Sequence, residues 1–172
     1  MALVMGSKGL RVPVDFNVFI GGISQAGRVQ SFKHPDIEFK TDDANLAGVL
    51  GEVSIPLDLK AMKCELVLKD VNRTLMGRLG KTDNTPLVIR AAARSLDDTV
   101  DSLKITINGR FNKLESGEWK PGEAATQKYA IDLDYYKYED GGEVVYEIDK
   151  LNNVLIVDGT DLWQGMRAAL GQ

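Results

Sequence analysis

The stretch Leu103-Lys104-Ile105-Thr106-Ile107-Asn108-Gly109-Arg110-Phe111-Asn112 decides the fold. Leu103, Ile105, Ile107 and Phe111 fall on one parity, while Lys104, Thr106, Asn108, Arg110 and Asn112 fall on the other. A period of two belongs to a β-strand with one buried and one wet face. A second run repeats the pattern: Tyr129, Ile131, Leu133 and Tyr135 alternate with Lys128, Asp132 and Asp134. At roughly 3.3 Å per residue each run reaches about 35 Å, well beyond the usual strand of about five or six residues. Strands of that length belong to large sheets or barrels.

Outward from this pair, short alternating segments are punctuated by glycines. Phe16 to Ile20 reads as a strand that Gly21-Gly22 turns into a hairpin toward Ile23. Met62, Cys64, Leu66 and Leu68 alternate with Lys63, Glu65 and Lys69, which puts Cys64 on an apolar face as a core thiol rather than a nucleophile. After Glu139-Asp140, Gly141-Gly142 marks another hairpin, followed by strands at Val144 to Ile148 and Val154 to Val157 with Asn152-Asn153 turning between them. Two helices are predicted. In the first Asp70 caps a stripe of Val71, Leu75, Met76 and Leu79 that ends at Gly80. The second covers 161–170, with Asp161 and Gln164 as a capping box, Leu162, Trp163, Met166, Ala169 and Leu170 as its stripe, and Gly171 as its stop. The expectation is one mainly β domain over 1–172, an antiparallel β-barrel or sandwich with two short helices.

Between Thr41 and Leu59 the sequence fits neither period. Leu46, Val49, Leu50, Val53, Ile55, Leu57 and Leu59 are scattered among Gly48, Gly51 and Pro56. Two readings stand: an ordinary hairpin whose register the sequence hides, or a long arm loop over 41–59 whose apolar side chains find cover on another subunit.

Composition narrows function by exclusion. A chain of 172 residues, 44% hydrophobic and 27% charged, is far from the disordered corner of composition. Its 21 Lys and Arg against 25 Asp and Glu give a net charge of −4, a poor endowment for gripping duplex DNA. The single cysteine, Cys64, forms no intrachain disulfide. Met1 to Arg11 carries no charged-then-apolar signal pattern and no eighteen apolar residues run together, so neither a signal peptide nor a membrane span is expected and the sequon Asn72-Arg73-Thr74 is incidental.

The chemical motifs are decoys. Gly80-Lys81-Thr82 imitates the end of a P-loop, but the glycine required five residues before Gly80 is Leu75, and the tripeptide follows a helix instead of opening one. His34, the one histidine, has no partner at metal-ligand spacing and no Gly-x-Ser-x-Gly elbow to serve, so it reads as a surface residue. The acid pairs Asp42-Asp43, Asp97-Asp98 and Glu139-Asp140 read as turns or strand ends, without the separation a glycosidase needs. The loop from Lys113 to Ala125 carries Glu115, Glu118, Trp119 and Glu123, and its tryptophan either covers a barrel end or anchors a partner. No catalytic residue, metal site or cofactor is expected.

The order of several segments carries a resemblance. Asn17-Val18-Phe19-Ile20-Gly21-Gly22, Gly117-Glu118-Trp119-Lys120-Pro121-Gly122-Glu123, Tyr135-Tyr136-Lys137, Val145-Tyr146-Glu147-Ile148-Asp149 and Asp158-Gly159-Thr160-Asp161 with its helix resemble the major tail tube proteins of contractile phages and R-type pyocins. The likeness runs from about Asn17 to Gly171. It implies a non-enzymatic subunit of the virion tail. On that likeness, subunits form hexameric rings that join their sheets into one barrel and stack into a tube inside a contractile sheath. Implied partners are the sheath, tape-measure, baseplate and tail terminator proteins, with DNA or ions only as cargo in the lumen. Lys104, Thr106, Asn108, Arg110, Asn112, Asp132 and Asp134 would then face the lumen, and Leu46, Val49, Leu50, Val53 and Ile55 would join subunits. A type VI secretion-like tube and a carbohydrate-binding or hydrolytic β-sandwich are the alternatives, the latter requiring an aromatic platform or a close acid pair in a cleft.

Overall fold

A computed structural model describes residues 9–81 and 86–172; Met1 to Lys8 and Thr82 of the Gly80-Lys81-Thr82 tripeptide lie outside the described residues. The chain runs β1 (Arg11–Ile20), β2 (Ile23–Ser24), β3 (Val29–Lys33), β4 (Phe39–Asn45), β5 (Glu52–Leu59), β6 (Met62–Leu68), α1 (Arg73–Met76), β7 (Leu87–Ser95), β8 (Val100–Ser116), β9 (Gln127–Asp140), β10 (Glu143–Asp149), β11 (Val154–Val157), β12 (Thr160–Asp161) and α2 (Gln164–Leu170). The fold is mainly β and antiparallel. One path orders the strands β12-β11-β10-β9-β8-β7-β1-β2, with β6 and β3 branching from β9.

β8 and β9 organise this sheet. They are 17 and 14 residues long and pair with each other from Leu103 and Asp140 to Ser116 and Gln127. On its far side β9 pairs with β6 along Gln127–Leu133 and with β10 along Tyr135–Asp140. One strand thus holds two different neighbours end to end, and the sheet divides and folds around its own apolar face. Val18, Ile20, Met62, Cys64, Leu66, Ile89, Ile105, Ile107, Phe111, Tyr129, Ile131, Leu133 and Ile148 fill the space so enclosed. Phe111 sits at its centre, edge-on to Tyr129 at 5.9 Å and beneath the Arg78 guanidinium at 5.1 Å. Those contacts add to the roughly 2–3 kcal/mol that burying a phenylalanine contributes. Cys64 is completely buried, and desolvation pushes its thiol up to about 12, so it is a core residue as its parity requires.

Two irregularities in the β8–β9 ladder shift the expected faces. The register slips between Asn108 and Gly109, where Asp134 becomes the extra residue of β9, and again between Phe111 and Lys113, where Asn112 is extra on β8. Each is a β-bulge. The first reverses parity along β9: Leu133 points into the core, but beyond the bulge Tyr136 is buried and Tyr135 faces the other way. The expected Tyr129-Ile131-Leu133-Tyr135 stripe therefore ends at Leu133 and continues at Tyr136.

The 41–59 segment is not a loop. β4 and β5 form a separate two-stranded sheet, bulged between Lys40 and Thr41, and only the tip from Leu46 to Gly51 is irregular. Phe39 and Leu59 root it in the core. Asp42-Asp43 consequently lies within a strand, not a turn, whereas Asp97-Asp98 does turn, with Asp98 at φ 61° and the Asp97 carboxylate accepting from the Thr99 N–H and hydroxyl.

The helices are shorter than their stripes suggest. α1 is a single turn capped by Asn72, not Asp70: the Asn72 Oδ1 accepts from the Thr74 and Leu75 N–H groups, and its Nδ2 donates to the Gln25 Oε1 at 2.9 Å. Gln127 completes this buried network by accepting from the Asn72 N–H and the Tyr129 hydroxyl. α2 starts at Gln164, since Thr160 and Asp161 pair with β11 as a strand. The capping box is absent. The Asp161 carboxylate instead accepts from the Trp163 N–H at 3.0 Å and pairs with Arg167.

Gly109 marks where the β8–β9 ladder tolerates no side chain. A Cβ there would lie 2.1 Å from the Asp132 carbonyl oxygen and 2.9 Å from the Leu133 Cα. Backbone cannot step aside cheaply, so Gly109→Ala should cost at least about 2 kcal/mol and lower the thermal midpoint by roughly 4–8 °C. Gly165→Ala on α2, where a Cβ meets nothing within 4 Å, should leave the midpoint unchanged or slightly raised. Calorimetry of the two variants checks both.

Candidate functional site

The two faces of the long sheet differ sharply. Cross-strand partners share a face, so the register fixes what lies on the side away from the core. Around the lower half of β9 that side carries Lys63 and Glu65 from β6, Lys128 and Asp132 from β9, and Arg110, Lys113 and Glu115 from β8. Around the upper half it carries Glu147 from β10, Tyr135, Lys137 and Glu139 from β9, Lys104, Thr106 and Asn108 from β8, Arg90 and Arg94 from β7, and Asp15, Asn17 and Phe19 from β1.

The charges on this face are matched. Lys104 meets Glu139 at 2.8 Å, Lys128 meets Glu65 at 3.0 Å, Lys113 meets Glu115, Lys137 meets Glu147 at 3.9 Å, and Lys63 meets Asp132 at 4.0 Å. The hydrogen bond from Lys104 holds the Glu139 carboxyl below its usual range, and the one from Lys113 does the same for Glu115. Glu65 raises Lys128. Burial and a 3.0 Å hydrogen bond to Glu147 push the Tyr135 phenol up to about 12, so it stays a neutral donor. Beyond these pairs the face holds Arg90, Arg94 and Arg110 together with Asp15 and, opposite Tyr135, Asp149. Arg90 lies 5.9 Å from the Phe19 ring centroid.

Of the residues singled out from sequence, Lys104, Thr106, Asn108, Arg110 and Asp132 share this face. Asn112 sits in the second bulge and donates to Asp132. Asp134, in the first bulge, is exposed, and its carbonyl accepts from the Lys150 N–H at 3.0 Å. Sequence reasoning missed Lys63, Glu65, Arg90, Lys137, Glu139 and Glu147. Those residues come from neighbouring strands or lie beyond the bulge at Asp134, so only the register brings them together.

Two further surfaces stand out. In the β4–β5 hairpin Ala44 lies opposite Val53 and Asp42 opposite Ile55 on one face, while Asp43 bonded to Ser54 and Asn45 bonded to Glu52 occupy the other. Val53, Ile55, Leu57 and the tip residues Leu46, Val49 and Leu50 are all exposed, Leu50 completely. The β8–β9 end loop also projects. β8 extends to Ser116, so Glu115 belongs to the strand, whereas Glu118 reaches Lys120 at 3.6 Å and the Glu123 N–H closes a turn on the Lys120 carbonyl. Trp119 is 70% exposed and covers no part of its own barrel. His34 lies at the surface against Phe32 and Tyr138, its pKa lowered by desolvation. Among the described residues no group of three or more His, Cys, Asp or Glu side chains is placed to hold a metal ion.

Comparisons with known proteins identify the family and the fold. The sequence model of the family described as phage tail tube protein FII matches residues 14–171. The major tail tube protein of Serratia phage KSP20 is 28% identical over 150 residues, covering 86% of this chain and 88% of that protein. The tail tube protein of Escherichia phage P2 is 28% identical over 161 residues, covering 90% and 94%. In fold, the chain resembles one from the PVC sheath-tube complex of an extracellular contractile injection system in its extended state, with a TM-score of 0.56 at 16% identity, covering 79% of this chain and 93% of that one. A chain from the anti-feeding prophage tube-terminating cap gives 0.55 at 18% identity, covering 81% and 99%. With nearly all of its length matched, the chain belongs to the phage tail tube protein FII family, as a structural component of the virion tail and not an enzyme.

Proposed function

We propose that copies of this tail tube subunit close into rings of six, that the rings stack, and that the charge-paired face of the long sheet lines the resulting lumen. The observation that carries this reading is the sheet itself: one side is apolar and packed, and the other is a wide polar wall whose lysines and carboxylates neutralise one another. A wall facing water on one side and a packed core on the other is what a large barrel requires. The tube lies within a contractile sheath and is closed by a terminator, a context supported by the sheath-tube and cap structures that share its fold. A tape-measure protein occupies the lumen before ejection, and DNA follows it. The work is mechanical: sheath contraction drives a rigid tube through the target envelope. A single six-fold, hollow, stacked assembly in electron micrographs of the purified protein is the expected result, and a stable monomer at high concentration is the opposite one.

The wall's charges bear on transit. A conduit must not hold its cargo, and each phosphate neutralised by a fixed cation adds a salt-dependent attraction. Asp132, bonded by Asn112 and approached by Lys63, serves compensation more than repulsion, as Glu139 does beside Lys104. Assembled tubes should therefore bind linear duplex DNA weakly or not at all at physiological salt. Asp132→Asn with Glu139→Gln uncovers two lysines per subunit and should create binding that falls steeply with salt in a filter assay.

The amphipathic β4–β5 arm joins subunits. Isolated two-stranded hairpins are marginal in water, and this one leaves its apolar face uncovered. Because Leu46 and Leu50 are exposed, Leu46→Asp with Leu50→Asp should leave circular dichroism and the thermal midpoint unchanged while abolishing polymerisation. Full-length tubes from that variant would reduce the arm to a surface feature.

A further inference from the structure

We infer that the arm of one subunit docks into the open end of a neighbour's core, beside the free edge of β1. This rests on the tube reading and names the surface that the arm meets. Three observations converge on it.

First, the core is not closed. Phe16, Phe32, Ile89, Ala91, Leu103 and Ile105 line a cavity of about 460 Å³ that opens to the surface, with His34 and Tyr138 at its side. That volume lies within the range of roughly 300–1,000 Å³ typical of ligand pockets. Its lining is mainly apolar, with Asp15 and His34 as the ionisable side chains among it. The chemistry calls for aliphatic side chains.

Second, the pocket borders an unfinished sheet edge. β2 covers β1 at Phe19 and Ile20 and the Gln25 N–H donates to the Val18 carbonyl, so the segment from Arg11 to Asn17 pairs with β7 on one side and with no backbone group among the described residues on the other. Val12, Pro13, Val14 and Asp15 along it are exposed, and Pro13, Val14, Asp15 and Phe16 also form the pocket rim. An unpaired edge next to an apolar cavity offers backbone hydrogen bonds and side-chain burial together. Pro13 and the irregularity between Pro13 and Asp15 blunt the edge against indiscriminate pairing, which suits a partner that fits the cavity as well.

Third, the complementary element is on the same chain. The arm is convex and two-faced, and it ends in Leu46, Val49 and Leu50, which have no cover in their own subunit. Other exposed apolar residues include Leu162, just before α2, and Met166 and Leu170 on it. A projection and a hollow at different places on one molecule make a heterologous contact, which propagates into rings or filaments instead of closing as a dimer. A tube is built from such contacts.

The native thiol does not interfere with a direct test. Cys64 is fully buried with its pKa pushed up to about 12, so cysteines introduced at the surface are the ones that react. Leu50→Cys and Val14→Cys subunits, mixed and assembled, should give a covalent dimer with a short bismaleimide. Tubes of either variant alone, or dispersed mixtures, should give little. If mixed tubes form but link no more than single-variant tubes, the docking surface is wrong and the tube reading stands, whether the arm then lies elsewhere on the neighbour or on another protein. If no tubes form from the unmodified chain, both fail. As an independent arm, Ala91→Phe fills the cavity from its floor and should give a folded subunit that does not elongate; normal tubes from it would overturn the inference.

Discussion

The shared ladder between β8 and β9 is the constraint on which the rest depends. Each strand is long enough to reach two structural neighbourhoods, and β9 is bordered first by β6 and then by β10 on its other side. A straight, regular ladder would keep all four strands in one flat surface. The bulges at Asp134 and Asn112 increase local twist and bend the strands, allowing the branches to turn toward each other over Phe111 and Tyr129. Gly109 stands at the first bulge because the opposing Asp132 carbonyl occupies the space a side chain would need. Core, twist and the direction of every outward side chain follow from that one crowded crossing.

Much of this was legible before any coordinates. Strict alternation in Leu103–Phe111 fixed which side of β8 is buried, and Gly21-Gly22 and Gly141-Gly142 do adopt the positive φ angles of tight hairpins. Cys64 is interior, as its neighbours Met62 and Leu66 imply. The failures share a physical origin. A bulge changes parity without changing composition, so Tyr135 was read onto the face that Tyr136 occupies. The arm defeated pattern reading because beyond Phe39 and Leu59 its apolar residues are exposed, and Pro56 and a bulge interrupt the alternation that remains. The caps failed more locally. Asn72 and Asp70 are equally good cap residues by type, and the buried side-chain carbonyls of Gln25 and Gln127, which accept from the Asn72 amide and N–H, decide between them. The site was legible as one strand's polar face, while its charge matching, which comes from β6 and β10, required the register.

That matching resolves a conflict between assembly and transit. An all-acidic wall would repel DNA but also repel itself around a ring, and an all-basic wall would bind the cargo. Pairs such as Lys104–Glu139 and Lys128–Glu65 are partly exposed and individually worth little to stability, about 0–1 kcal/mol each. Their effect is to flatten the local potential while keeping the surface wet. Stability is supplied on the opposite face, where the same strands bury Ile105, Ile107, Ile131 and Leu133. The period of two thus lets one ladder carry both tasks without compromise between them.

An uncovered apolar surface on a lone subunit has to be explained either as a cost or as an interface. Here many of the exposed apolar residues cluster on the arm, at the open core end beside β1 and around α2, while Ile23, Trp119, Leu151 and others are exposed elsewhere. A monomer with this surface would lose apolar burial it could readily have gained by a shorter 41–59 connection. In the proposed polymer each surface would meet a different surface of the next copy, and the gain would recur at every subunit added. Rigidity follows from the same arithmetic: a tube that must transmit thrust is better braced by many repeated arm contacts of moderate strength than by one large flat interface, since bending it would have to disturb a contact on every subunit along the bend at once.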